Sequence, residues 1–151
     1  MKKLVFFSII FAFVLLLTGC GKKSAINTSK FRSIVESSGY TFTDDYDSYS
    51  SYNYFNEAVI ASKGDCDIQF FVLDNASNAK DMFNTNKSKF ENSKTGLSSE
   101  VSTSLGNYDT YLVNTDGYYK YVSRVDNTLL YVNVPMECKE SVKNIIDNMK
   151  Y

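Results

Sequence analysis

Residues 99–134 read SEVSTSLGNYDTYLVNTDGYYKYVSRVDNTLLYVNV, and this stretch decides the fold. Four segments rich in Tyr, Val, Thr and Leu can be marked off: Ser99 to Ser104, Tyr108 to Asn114, Tyr118 to Val125 and Thr128 to Val134. Side chains of this kind fit a pleated, half-buried surface. Gly106-Asn107, Asp116-Gly117 and Asp126-Asn127 separate the segments. Two-residue connections such as Asp-Gly supply the positive φ that a tight hairpin demands. The four segments are therefore expected to pair antiparallel, since a parallel neighbour needs a crossover of about a dozen residues or more.

The same logic extends towards the N-terminus. Tyr54 to Ser62 and Ile68 to Leu73 flank Gly64-Asp65 and form another hairpin, and Tyr40-Thr41-Phe42 begins a strand before it. Three segments have helical periodicity instead. Phe31, Ile34 and Val35 follow a cap at Thr28 or Ser29 and stop at Gly39. Ala76, Ala79, Phe83 and Phe90 follow Asp74-Asn75 and run towards Gly96, and Val142, Ile145, Ile146 and Met149 follow Pro135. The predicted order is α-β-β-β-α-β-β-β-β-α, an α+β fold with an antiparallel meander sheet and about three helices packed on one face. A faint duplication, helix then strands, shows in that order without any residue-level repeat. Residues 29–151 make one such domain.

The first twenty residues carry an address. Lys2 and Lys3 precede a nearly continuous apolar run from Leu4 to Leu17. That run is short for a permanent span, which takes about 20 apolar residues, and fits the central region of a signal peptide. Leu17-Thr18-Gly19-Cys20 follows and resembles the lipobox of bacterial lipoproteins. The resemblance covers only these residues. It implies cleavage of residues 1–19, diacylglycerol on the Cys20 thiol and an N-acyl lipid on the new amine. Two acyl chains hold a protein durably where one is marginal. The expected location is the extracytoplasmic face of the cell membrane, with residues 20–28 as a lipidated tether. The eight residues from Gly21 to Thr28 reach at most ~27 Å. Lys22 and Lys23 can meet anionic lipid, worth about 1 kcal/mol each.

Composition sets further bounds. Cleavage leaves 132 of the 151 residues, with 14 Lys+Arg against 17 Asp+Glu once Lys2 and Lys3 are gone. Without a basic stripe, nucleic acid is not an expected partner. The chain has no His and no Trp. Zero His removes Ser-His-Asp and Cys-His mechanisms, most zinc sites and the usual pH switch near neutrality. With Cys20 lipidated, Cys66 and Cys138 remain, and the compartment permits a disulfide. Sequence alone leaves open whether they bond or serve as two small core residues.

Three groups of residues merit weighing as sites. Tyr40 to Phe55 is rich in Tyr, Ser and Asp, and reads as a loop between Asp44 and Tyr52. Its Tyr46, Tyr49 and Tyr52 offer flat apolar area with a polar tip, suited to glycans or protein surfaces; the plainer account is edge-capping rings and solvated loop. Tyr119 and Tyr121, with Tyr131 on the next strand, form a second candidate surface or, more ordinarily, cross-strand pairs. Asp44, Asp45 and Asp47 lack the Gly and Glu of an EF-hand loop, so no metal is assigned. No pair of carboxylates stands out for catalysis.

The function these features predict is a non-enzymatic binding module of the cell envelope, membrane-anchored by its lipid, contacting another envelope protein. An immunity-type lipoprotein is one form of that reading. The alternatives are a cell-wall glycan-binding module using the Tyr-rich loop and a carboxylate-dependent hydrolase. No cofactor is expected beyond the covalent lipid.

Overall fold

The structure, a computed structural model, describes residues 21–151. The expected signal segment 1–19 and the expected lipidation site Cys20 lie outside the described residues. In chain order the elements are α1 (Thr28–Ser37), β1 (Thr41–Asp44), α2 (Tyr46–Tyr49), β2 (Phe55–Lys63), β3 (Cys66–Leu73), α3 (Ala76–Asn92), β4 (Ser99–Leu105), β5 (Tyr108–Thr115), β6 (Tyr118–Val125), β7 (Thr128–Pro135), a 3₁₀ turn (Met136–Cys138) and α4 (Lys139–Met149). The α+β class and the order of elements along the chain follow the sequence reading, with one short helix, α2, added inside the Tyr-rich segment.

The seven strands form one antiparallel sheet in the order β1-β2-β3-β7-β6-β5-β4. Two meanders, β1-β2-β3 and β4-β5-β6-β7, are joined through pairing of β3 with β7, for example Phe70 opposite Leu130. Asp116 and Gly117 both take positive φ, 52° and 77°, as a tight two-residue hairpin requires.

Joining the meanders obliges the chain to travel from β3, inside the sheet, to β4 at its edge. Helix α3 makes that journey. It is capped by Asn75, whose side chain accepts from the Asn78 amide, and its 17 residues span about 26 Å. Four strand spacings of ~4.8 Å separate β3 from β4, so a helix laid obliquely over β7, β6 and β5 fits the distance.

The expectation of helices on one face is corrected here. Neighbouring strand residues point to opposite faces, and both faces are apolar at the centre of the sheet. Ile68, Phe70, Leu130 and Val132 join Phe31, Val35, Val142, Ile145 and Met149 beneath α1 and α4. Phe71, Leu129, Val122 and Val113 join Ala79, Phe83 and Phe90 beneath α3. The apolar run Ile68 to Leu73, broken only by Gln69, is the sequence sign of a strand covered twice.

A disulfide joins Cys66, at the start of β3, to Cys138 before α4, with Cα atoms 5.6 Å apart. It closes a separation of 72 residues, and loop closure of that length stabilises by roughly 4 kcal/mol. On the α3 side, Asp109 and Arg124 are cross-strand partners whose side chains are only 4% and 5% exposed. The guanidinium contacts Asp109 Oδ2 from Nε at 2.7 Å and from the terminal nitrogen at 2.6 Å. Burial pushes the Asp109 carboxyl up, but hydrogen bonds from Ser104 and Arg124 and the charges of Arg124 and Lys80 outweigh it, leaving the group below its usual range.

Candidate functional site

The two candidate tyrosine surfaces meet opposite fates. Tyr119 and Tyr121 sit on the α1/α4 face of β6 and are 1% and 4% exposed. Their rings are parallel, 6.4 Å apart, within the core. Tyr131 points to the other face of the sheet, beneath α3. The proposed Tyr119/Tyr121 binding surface is therefore corrected: α4 covers it, because the stripe Val142, Ile145, Ile146 and Met149 needs that same apolar face. Burial pushes the hydroxyl pKa of Tyr119, Tyr121 and the terminal Tyr151 upward.

The Tyr-rich segment remains accessible and borders a cleft. The segment from Tyr46 to Tyr52 is compact because its short polar side chains fold it locally. Ser48 Oγ donates to the Asp45 carboxylate at 2.6 Å, Ser50 Oγ donates to the Asp47 carbonyl at 2.8 Å, and the Tyr52 amide reaches the Tyr49 carbonyl at 2.9 Å. The Asp45 amide ties it to Ala58 in β2. Asp44 is taken up in an ion pair with Arg32. The carboxylates of Asp44 and Asp45 thus have side-chain partners, whereas Asp47 is engaged through its backbone carbonyl, and no metal-ligand cluster of three His, Cys, Asp or Glu residues occurs among the described residues.

This packing seats Tyr49 with its ring centroid 4.9 Å from Phe55 and 5.2 Å from Phe71. Tyr54 lies 4.8 Å from Phe55 and 5.7 Å from Tyr52. The result is an aromatic wall. Burial, with a smaller contribution from Asp45, raises the Tyr49 hydroxyl pKa, so this ring stays neutral at physiological pH. Tyr52 is half exposed at 52%, whereas Tyr46, 44% exposed, lies outside the cleft.

Helix α3 forms the opposite wall. Asn78, Asp81, Met82, Thr85, Asn86 and Lys89 line the cleft, repeating at the three- and four-residue steps of one helix face. The floor is Gln69 and Phe71 of β3 with Tyr131 of β7, and Gln69 and Tyr131 are cross-strand partners. Tyr131 is itself held by Phe90, 5.3 Å between rings. The cleft encloses about 580 Å³, within the range of small-ligand sites.

The cleft exists because α3 covers β7, β6 and β5 and leaves β2 and β3 to the thin Tyr-rich segment. Sequence reasoning placed Tyr49 and Tyr52 here but missed the wall opposite. A signal was present: α3 carries two stripes, an apolar one at Ala79, Phe83 and Phe90 and a largely polar one at Asn78, Asp81, Thr85, Asn86 and Lys89. The polar stripe reads as solvated surface until the topology sets it against the tyrosines.

No model of a known protein family, no curated protein and no solved structure matches the chain. Among the described residues, no helix is long and apolar enough to cross a membrane.

Proposed function

We propose that this protein is a lipid-anchored, extracytoplasmic binding module, non-enzymatic, that holds a glycan segment of the cell envelope in the cleft between its tyrosine wall and α3. The observation that carries the reading is the pairing of wall chemistries. Flat rings of Tyr49, Tyr52 and Tyr54 face amide, hydroxyl and charged groups of Asn78, Asp81, Thr85, Asn86 and Lys89. Sugar rings offer apolar C–H faces for stacking and hydroxyls for hydrogen bonds, so both walls are used. The polar stripe from Asn78 to Lys89 runs about 16 Å along the helix, room for a short linear chain. Hydrolysis by paired carboxylates requires two acids about 5–10 Å apart; the cleft lining offers one, Asp81. The anchor at Cys20 rests on the lipobox resemblance.

Replacing Tyr52 and Asn86 by Ala tests the reading. Retention of the lipidated protein on purified cell wall should fall by about tenfold, equivalent to ~1.4 kcal/mol. Unchanged retention would contradict glycan binding in this cleft.

A second reading, contact with another envelope protein, draws on a different place. Leu97 is fully exposed and Met136 is 40% exposed, and both border a shallow hollow with Asn114 and Gly117 at the β5–β6 end of the sheet. Charge introduced at Leu97 should then abolish partner capture in cells without altering wall retention.

A further inference from the structure

The chain leading into α1 is strapped to the domain. The Gly21 carbonyl oxygen lies 3.0 Å from where a Cβ on Gly106 would sit, and the Leu105 side chain lies 3.8 Å from the corresponding position on Gly21. Asn107 clasps the Lys23 backbone from both sides: its Oδ1 accepts from the Lys23 amide at 3.1 Å, and its Nδ2 donates to the Lys23 carbonyl at 2.7 Å. The Lys23 ammonium stands 4.6 Å from the centre of the Tyr108 ring. Ala25 and Ile26 then pack against the core under α1. Lys23 to Asn27, expected from sequence to be part of a polar tether, therefore lie along the domain.

We propose that the end of the sheet carrying the β4–β5 turn, Leu105-Gly106-Asn107 with Gly21 and Lys22 beside it, is the surface on which the domain rests against the lipid bilayer. The proposal rests on the lipid-anchor reading of Cys20. Cys20 is bonded to Gly21, and one peptide unit sets their Cα atoms about 3.8 Å apart. A free eight-residue tether would let the domain stand off by up to ~27 Å and rotate. The strap removes that slack. Leu105, 46% exposed, adds apolar area where the interface would lie, and Lys22 is exposed beside it.

The β6–β7 turn belongs to the same end, since the Asp126 amide donates to the Asn107 carbonyl at 2.8 Å. The β2–β3 and β5–β6 turns, at Gly64-Asp65 and Asp116-Gly117, lie at the opposite end of the strands. Eight residues of strand put the two ends about 27 Å apart. The cleft then opens on the flank of the domain with its Tyr54 and Asn78 end nearer the bilayer, and the hollow at Leu97 and Met136 faces away from it.

The test uses the full chain processed in bacterial cells and reconstituted into phosphatidylcholine vesicles carrying a headgroup-attached nitroxide. A fluorescent unnatural residue replaces either Asp126 or Asp65, and the mass of the N-terminal peptide is measured on the same samples. Quenching at position 126 should exceed that at position 65 several-fold. Inserting a ten-residue Gly-Ser segment between Gly21 and Lys22 should abolish the difference. Equal quenching at the two positions in the uninserted protein with Cys20 lipidated would overturn the orientation alone, and a difference that survives the insertion would overturn the strap as its cause. An unmodified Cys20 would overturn the anchor reading and the orientation with it.

Discussion

Apart from Tyr111, which is buried on the α3 face, the two faces of the sheet use the same residue type to opposite ends. On the α1/α4 face, Tyr119, Tyr121 and Tyr151 are core residues; the Tyr151 hydroxyl is partnered by Thr128, and its ring packs 6.2 Å from Phe70. On the α3 face, Tyr49, Tyr52, Tyr54 and Tyr131 line an open cleft. Coverage makes the difference. Two helices and a disulfide close one face, whereas one oblique helix crosses the other and leaves its β2–β3 side to a short segment. A tyrosine's role is set less by its own strand than by which element is long enough to lie over it.

The sharpest way to break this contrast is to truncate one tyrosine on each face. Tyr119→Ala should lower unfolding free energy by about 3–5 kcal/mol, the range for emptying a buried aromatic site. Tyr52→Ala should change it by no more than ~0.5 kcal/mol, as surface substitutions do. Denaturant melts of the two variants would read both values, and comparable losses would end the distinction between closed and open faces.

Removing the cross-link tests what closes the closed face. Cys66→Ala with Cys138→Ala should cost about 2–5 kcal/mol, while leaving wall retention unchanged, because neither cysteine borders the cleft. Calorimetry and a wall-binding assay on the same sample would check both halves.

The Asp109–Arg124 pair gives a smaller, pH-dependent effect on the α3 face. Asp109 is held below its usual pKa in the folded protein, so its contribution to stability is present above the unfolded value of ~3.9 and is lost as pH falls through the folded one. Asp109→Asn should flatten the stability profile between about pH 4 and lower pH relative to the parent protein. Thermal melts over that range would show it, and an unchanged slope would assign the acid sensitivity to other carboxylates.

Much of the fold was legible because local signals agreed. Asp116-Gly117 marked a hairpin, Asn75 capped a helix, and the Val142 to Met149 stripe marked another. What could not be read was coverage. The run Ile68 to Leu73 marks a buried strand, yet nothing local tells which helix lies on which side of it. For the same reason Tyr119 and Tyr121 looked as available as Tyr49 and Tyr52. The Cys66–Cys138 pairing depended on a distance across 72 residues, which only the β3–β7 junction sets. Half of the cleft was visible as a tyrosine-rich loop; the other half was a polar helix face whose meaning came from its position.

The central claim, that the open side of the α3 face is where this protein meets a glycan, is tested most directly by side-chain NMR of the lipidated chain in detergent micelles during titration with soluble cell-wall glycan fragments. Shifts are expected only among side chains that line the cleft, Tyr52, Gln69, Asn86 and Tyr131 included, with Tyr119 and Tyr121 unmoved. Saturating glycan that leaves those four signals in place, or moves the β4 edge instead, would contradict it.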